Sequence, residues 1–384
     1  MVILEGDFSG QPLSFLEIYI KNCAKGVTNT FWKIWITLIF NKKLLKMTIR
    51  YVDICCGLTW GDEGKGKIVC QLAKSGNYDY VCRWAGGNNA GHTVIVDGKK
   101  YITHLIPSGV FYGVRSVIGP GCVVNKESFA RELEYLKHHG FDTSLVKVSP
   151  KAHLVFDHHI NEDIQTHHKT QGSTAKGIAQ CYRDKYARLG KRVEDDDFFR
   201  DHLWDEELEG RILCEGAQGF WLDVDYGNYP YVTSSTTLPY GACSLGFPPQ
   251  KIRRIFGAAK IYDTRSGSDP EFPEDLMDDT DLKRVGKIGE EIGSTTGRER
   301  KVNWLNLNKL IKATQVSGAS ILVISKVDVL EKIGRHKLWF GSKLFEFSDI
   351  DEMSMFLNYH LRKECPYVTR IYYSDSPEEV RSLI

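Results

Sequence analysis

One run, from residue 51 to residue 84, limits what this chain can fold into more than any other stretch. Residues 51–57 read as a short buried strand, Gly61-Asp62-Glu63-Gly64-Lys65-Gly66-Lys67 as a glycine-rich loop, 68–75 as a helix and 80–84 as a second strand. Strand, loop, helix and strand in that order open a parallel α/β sheet, because parallel neighbours need a crossover long enough to hold a helix. Short, turn-bounded apolar runs at 114–118, 146–148, 211–214, 254–261, 321–325 and 369–373 supply further buried strands and predict one large central sheet. Val94-Ile95-Val96 and Tyr101-Ile102-Thr103 flank Asp97-Gly98, a dipeptide that accepts the positive φ angles of a tight hairpin. After Arg300 the spacing of Trp304, Leu307 and Ile311 predicts a helix that stops at Gly318. The expected fold class is α/β: a large, mainly parallel central sheet with flanking helices and a P-loop-like phosphate loop after the first strand.

Charge excludes one class of partner. Against 50 Lys and Arg stand 49 Asp and Glu, with no basic stripe, so a nucleic-acid surface is not expected. The ten cysteines contain no C-x-x-C pair, and most sit in apolar runs where a thiol acts as a small hydrophobe, which predicts a reducing, cytoplasmic setting. The most apolar window, residues 31–40, contains Lys33 and is half of the roughly 20 residues a membrane span needs. Residues 1–46 also lack the basic start and small-residue cleavage site of a secretion signal. Two parts are expected: 1–46, an extension of unknown role or a start-site artefact ahead of Met47, and 47–384, the catalytic domain.

Two loops carry the chemistry. Residues 61–67 satisfy G-x-x-x-x-G-K, in which glycines let backbone N–H groups close on phosphate oxygens and lysine adds a mobile cation. Ile68 stands where an ordinary P-loop NTPase has the Ser or Thr that holds Mg²⁺, which disfavours a GTP-binding switch protein. Asp62 inside the loop would repel phosphates unless it ligates a metal or takes a proton, so it is a candidate general base. The second loop, Gly86-Gly87-Asn88-Asn89-Ala90-Gly91-His92-Thr93, is too poor in large side chains to form a core, which gives His92 a functional rather than a packing role. The histidines at 153, 158, 159, 167 and 168 lack the Cys or H-E-x-x-H context of a zinc centre, and metal binding is not expected there.

These two loops resemble the signatures of the adenylosuccinate synthetase family. The likeness continues in order through His104-Leu105-Ile106-Pro107-Ser108-Gly109, residues 172–178 (GSTAKGI), 215–219 (EGAQG), 229–235 (YPYVTSS), 296–300 (TGRER) and 325–330 (SKVDVL). It implies an enzyme that joins L-aspartate to the 6-position of IMP, using GTP and Mg²⁺, through a 6-phosphoryl intermediate. By that resemblance Asp62 is the N1 base, and His92, Lys65 and Gln218 steady the transferring phosphoryl group and the 6-oxygen. The purine nucleotide would meet Asp62, Glu63, Gly64, Lys65, Asn89, Ala90, Gly91, His92, Thr174, Gln218, Thr233 and Arg298, with Arg188 reaching in from the other subunit of a homodimer. Ser294, Thr295, Thr296, Gly297, Arg298 and Arg300 would hold aspartate. Gly61, Gly64, Lys65, Gly66, Lys67, Gly91, His92, Thr93, Arg300, Lys326, Val327 and Asp328 would hold the triphosphate nucleotide, and Asp62 with the Gly91 carbonyl the metal.

Some positions depart from the family pattern: Ala175 and Lys176 in the 172–178 loop, Asp263 and Ser266, and Asn303 and Asn306. A viral branch of the family acts on dGMP, and its best-known members carry serine in place of the loop aspartate. Asp62 therefore favours IMP over dGMP, and GTP or ATP remain alternative donors. The survival of Asp62, His92, Gln218 and Arg298 together argues against an inactive relative.

Overall fold

The structure, a computed structural model, describes residues 49–293 and 297–383. The expectations for residues 1–46, the boundary at 46/47 and the aspartate-site residues Ser294, Thr295 and Thr296 lie outside the described residues. In chain order, β1 (Ile49–Gly57), α1 (Lys65–Lys74) and β2 (Tyr80–Arg83) form the expected opening unit. There follow β3 (His92–Val96), β4 (Lys99–Thr103), β5 (Arg115–Ile118), β6 (Val123–Asn125), α2 (Lys126–His138), β7 (Val146–Val148) and β8 (His153–Val155). Helices α3 (Asp157–Gln165), α4 (His167–Gln171) and α5 (Ile178–Ala187) lead to β9 (Gly210–Glu215), β10 (Ile252–Lys260) and β11 (Tyr262–Arg265). The last third runs α6 (Thr280–Ile288), β12 (Lys301–Asn306), α7 (Leu307–Ser317), β13 (Ile321–Ser325), α8 (Val327–Ile333), β14 (His336–Phe340), β15 (Lys343–Phe347), α9 (Ile350–Glu364) and β16 (Arg370–Ser374).

All eight apolar runs read as buried strands enter one sheet, in the order β16-β13-β10-β1-β9-β2-β5-β7, and every pairing in it is parallel. The first strand lies in the middle, Val52 pairing with Ile212 on one side and Ile252 on the other. Alternation along the strands sends side chains to two apolar layers, as a doubly covered parallel sheet requires. Cys55, Val81, Leu213 and Val323 pack against Ile68, Val69 and Leu72 of α1. Cys56, Cys82, Cys214 and Ile324 face the opposite layer, with Leu307, Leu310 and Leu357 of α7 and α9. Nine described cysteines are unpaired; eight are buried and serve as small core residues, burial pushing the Cys56 thiol up to about 12, and Cys243 is half-buried against the core. No helix among the described residues is long and apolar enough to cross a membrane.

The expected hairpin is present as β3–β4, with Asp97 and Gly98 at φ 49° and 74°. The helix expected directly after Arg300 is corrected. Residues Lys301–Asn306 form β12, antiparallel to β11 and parallel to β14, in a four-stranded sheet with β15. The apolar spacing of Trp304, Leu307 and Ile311 fits a helix, but the Asn306 side chain accepts the Lys309 N–H at 3.1 Å and caps α7, so the helix begins at Leu307. Gly318 ends it at φ 63°, as expected.

A buried acid sets the shape of the chain beside the second loop. Glu132 of α2 accepts the backbone N–H groups of His104, Leu105 and Ile106 at 2.9–3.0 Å, while His104 Nδ1 donates to the Ala90 carbonyl at 2.7 Å. Glu132→Ala would leave those three donors unpaired in the interior, and is expected to cost about 3 kcal/mol or more of unfolding free energy in urea titrations.

Candidate active site

Beyond the carboxyl ends of β1, β2, β9, β10 and β13 lies a cavity of about 1950 Å³, where loops of a parallel sheet place ligands. A single small ligand fills roughly 300–1000 Å³, so the space accommodates more than one.

The loop after β1 bends through left-handed backbone at Gly61, Asp62 and Gly64 (φ 91°, 61° and 86°), the last capping α1. Glu63 holds it there. Fully buried, its Oε1 accepts the N–H groups of Thr59 and Gly61 at 3.1 and 2.9 Å and the Thr59 hydroxyl at 3.1 Å, and its Oε2 accepts Lys65 Nζ at 2.5 Å. Its carboxylate is thus turned into the protein, and a ligand could meet Glu63 only through its main chain. Burial opposes the charge on Lys65, but Glu63 outweighs it and holds the ammonium above its ordinary value. A Cβ at Gly219 would fall 2.4 Å from Thr59 O and 2.5 Å from the Glu63 carboxylate, which explains the last glycine of EGAQG.

Asp62 faces the cavity with its side chain 31 % exposed. Arg300 Nε approaches its Oδ2 to 2.9 Å, a close meeting of charges without hydrogen-bond alignment, while Arg300 Nη1 donates to Glu291 at 2.7 Å. Arg300 therefore meets the loop acid itself, closer to the reacting side than the triphosphate role alone implies.

His92 opens β3, and its Nδ1 bonds Glu215 at the end of β9. Glu215 also accepts the Ser108 N–H and hydroxyl at 2.7 and 2.8 Å. Burial, with Arg83 and Lys65 nearby, pushes His92 below its ordinary value despite Glu215. Burial raises Glu215, but His92, Arg83 and the Ser108 N–H outweigh it and hold the carboxylate ionised. An ionised carboxylate only accepts, so Nδ1 carries the ring proton and Nε2 remains as the acceptor.

Gln218, at φ 54°, lines the cavity with a buried Oε1 that has no protein partner. Asn89, Ala90, Gly91, Thr93, Thr174, Thr233 and Arg298 line the same space. Asp163 shapes the Thr174 loop by accepting the Ser173 hydroxyl at 2.6 Å and the Gly177 N–H at 2.9 Å. Ala175 there sits at φ 54°, where the family glycine would be unstrained. Arg298 reaches across to the Gly172 carbonyl at 3.3 Å. Gly297, at φ 66°, precedes it. Arg188 ends α5 on the exposed surface outside the cavity wall, near exposed Tyr186 and Leu189.

Lys67 marks the other end of the space. Its Nζ donates to Ser374 Oγ at 2.7 Å and the Ser376 carbonyl at 2.8 Å, tying α1 to the segment after β16. Gly66 of the same helix also borders the cavity, as do Lys326 and Asp328, whose side chains bond the Gly289 carbonyl at 2.6 Å and Lys332 at 2.7 Å. Val327 packs into the core instead.

Sequence reading missed the acids behind the site. Glu215 had a signal, since it ends an apolar strand and begins EGAQG; Glu291 and Asp163 had none. Of the histidine-rich stretch, His158 and His159 lie with Asp184 close enough to suggest a metal. His159 accepts the Phe156 N–H at Nδ1 and bonds Asp184 through Nε2, both at 3.0 Å, so both of its ring nitrogens have protein partners.

A carboxylate set into a phosphate loop, opposite a carboxylate-oriented histidine, defines the class as a nucleotide-dependent α/β enzyme with acid–base chemistry at its phosphate site. The adenylosuccinate synthetase family matches residues 54–211 and 201–354. The adenylosuccinate synthetase of Brevibacillus brevis is 38 % identical over 338 residues, spanning 73 % of this chain and 78 % of that one. That of Christiangramia forsetii is 40 % identical over 337 residues, 73 % and 79 % of the two chains. The structure of fully ligated adenylosuccinate synthetase from Plasmodium falciparum superposes with a TM-score of 0.74 at 28 % identity, over 85 % of this chain and 98 % of that one. Succinoaminodeoxyadenylate synthetase of cyanophage S-2L, bound to dGMP and dATP, shares the fold at a TM-score of 0.64 and 17 % identity, over 86 % and 94 %. The chain belongs to the adenylosuccinate synthetase family.

Burial, aided by Lys326, lowers Lys67 from 10.5 to about 8. Below about pH 8 both folded and unfolded chains carry the charge; between about 8 and 10.5 the unfolded chain alone keeps the proton, so stability rises with pH across that window. From pH 8 to 10 the wild type is expected to gain about 2 kcal/mol more unfolding free energy than Lys67→Met, measured by urea denaturation of both.

Proposed function

We propose that this chain joins L-aspartate to the 6-position of IMP with hydrolysis of GTP, yielding adenylosuccinate, GDP and phosphate. The observation that carries this reading is Asp62, an acid held at left-handed backbone within the phosphate loop and facing the same cavity as His92 and Gln218. A purine 6-oxygen becomes nucleophilic once its N1 proton is gone, and Asp62 takes that proton. The 6-oxygen attacks the γ-phosphorus and the bond to the β-phosphate oxygen breaks. Lys65 neutralises charge on the transferring group, whose loose transition state asks for charge compensation rather than covalent help, and His92 hydrogen-bonds that group once its Nε2 has taken a proton from solvent as the anionic nucleotide binds, with Glu215 compensating the imidazolium. The Gln218 amide steadies the 6-oxygen. The amino nitrogen of aspartate then attacks C6 and phosphate departs with the former 6-oxygen.

Arg298 offers a guanidinium fork to the aspartate carboxylate, together with residues 294–297. Asn89, Thr174 and Thr233 hold the IMP phosphate, with the partner copy's residue at position 188 completing it in a homodimer. Gly61, Gly64, Gly66, Lys67, Thr93, Arg300, Lys326 and Asp328 hold GTP. The donor set fits Mg²⁺ as a hard cation bound mostly by phosphate and water, since Asp62 offers one partly exposed carboxylate and no three-ligand group surrounds it among the described residues. Asp62 and the Gly91 carbonyl would hold it, and the ion would neutralise charge on the phosphate oxygens.

The assay is purified protein with L-aspartate, Mg²⁺ and either IMP with GTP or dGMP with ATP, following the succinylated product. IMP with GTP is expected to be the faster pair; turnover confined to dGMP would transfer the chain to the other branch of the fold. Asp62→Asn should keep nucleotide binding but lose turnover by about 10²-fold or more, as when a general base is removed. A variant turning over like the wild type would sink the assignment.

Mixing inactive Arg188→Ala and His92→Ala subunits should restore part of the activity, because one hybrid site then carries both intact residues. Verified subunit exchange without recovered activity would show that Arg188 serves no neighbouring site.

A further inference from the structure

Glu291 lies just beyond α6, and no role described so far rests on it. It is 3 % exposed. One oxygen, Oε2, accepts Lys260 Nζ at 2.8 Å and Arg300 Nη1 at 2.7 Å; the other accepts the Tyr262 hydroxyl at 2.7 Å. The main chain repeats the connection, with the Arg300 N–H donating to the Glu291 carbonyl at 2.9 Å and Ile292 bridging Glu299 in antiparallel fashion. Residues 291–293 and 298–300 are thus the two legs of one loop, joined at their base by this carboxylate. Burial would raise Glu291, but Lys260 and Arg300 outweigh it and hold the acid ionised at about 2.

The other edge of Arg300 meets Asp62 at 2.9 Å, and Lys260, also lining the cavity, lies within the field of the same acid. Two acids and two cations therefore alternate, Asp62, Arg300, Glu291 and Lys260. Without the inner acid, two buried cations would be left with Asp62 as their remaining counter-charge in this chain of four. Attraction would draw them onto its carboxylate, in competition with the purine proton. Glu291 has the geometry to prevent this: it grips both cations and leaves the Asp62 carboxylate partly exposed to the cavity.

We propose that Glu291 is a positioning residue of the ligase reaction, holding Arg300 and Lys260 at the cavity wall so that Asp62 stays available to the substrate. The proposal deepens the ligase reading above and rests on it. It places the effect on turnover rather than on IMP binding, because Glu291 touches none of the residues assigned to the IMP phosphate.

The test uses the full chain and steady-state kinetics with IMP, GTP and L-aspartate, beside thermal unfolding. Glu291→Gln, which keeps the shape and removes the charge, should lower kcat by about ten-fold or more while KM for IMP stays within about two-fold. Glu291→Asp, which restores the charge on a shorter arm, should recover part of the loss. Combined with Arg300→Ala, the Glu291→Gln loss should fall short of the product of the two single losses by about three-fold or more, as expected for residues acting as a unit. A folded Glu291→Gln enzyme with wild-type kcat, or losses that multiply in the double variant, overturns the proposal. Should Glu291→Gln not fold, the same cycle is run with Glu291→Asp and judged by the same rule. A wild-type protein that makes no adenylosuccinate overturns the ligase reading and the proposal with it, whereas an active wild type beside an equally active Glu291→Gln overturns the proposal alone.

Discussion

The bonds made by the buried carboxylate of Glu63 are the constraint on which the site depends. A left-handed turn soon after a central strand is an unfavourable shape for Asp62, costing on the order of 1 kcal/mol, and it persists because the next residue anchors the preceding backbone at Thr59 and Gly61. The same carboxylate seats Lys65 and excludes any side chain at Gly57 and Gly219, where a Cβ would fall 2.5–2.6 Å from its oxygens. One acid thereby links the first phosphate loop to the loop that carries Gln218. The catalytic geometry is organised from inside the core rather than from the cavity.

The pattern recurs. Glu215 orients His92, Asp163 folds the loop that presents Thr174, and Glu132 fixes the backbone beside the second glycine loop. Each is buried, each is satisfied by several donors, and each acts on a ligand-facing group through a bond behind it. Charge placed this way gives rigidity where the loops themselves, rich in glycine, supply none.

Much of this was legible in the sequence, for a physical reason. Parallel strands covered on both faces are continuous apolar runs, so 51–57, 211–214 and 321–325 announce themselves without their partners. The small second sheet does not: Trp304 of β12 stands at helical spacing from Leu307 and Ile311 of α7, and only the capping of Lys309 by Asn306 reveals where the helix starts. The glycine loops and Asp62 could be read because their residue types are unusual for a loop with no other purpose. Glu291 could not, since its meaning lies in Lys260 and Arg300, which the chain brings to it from separate elements. The resemblance to a family named mostly residues that line the cavity, gave Glu63 a ligand contact its inward-turned carboxylate does not offer, and assigned no role to Glu215, Asp163 or Glu291.

The position of β1 in the sheet also has a cost in time. Val52 waits for Ile212 to pair one edge and then for Ile252 to pair the other, and synthesis at typical rates separates the first of these strands from the last by roughly ten to forty seconds. Until β9 has emerged, an apolar strand and the phosphate loop attached to it have no neighbouring strand to join. The first described strand of the sheet is thus among the last to have both edges covered, and for that interval it offers an unpaired apolar edge of the kind that promotes aggregation.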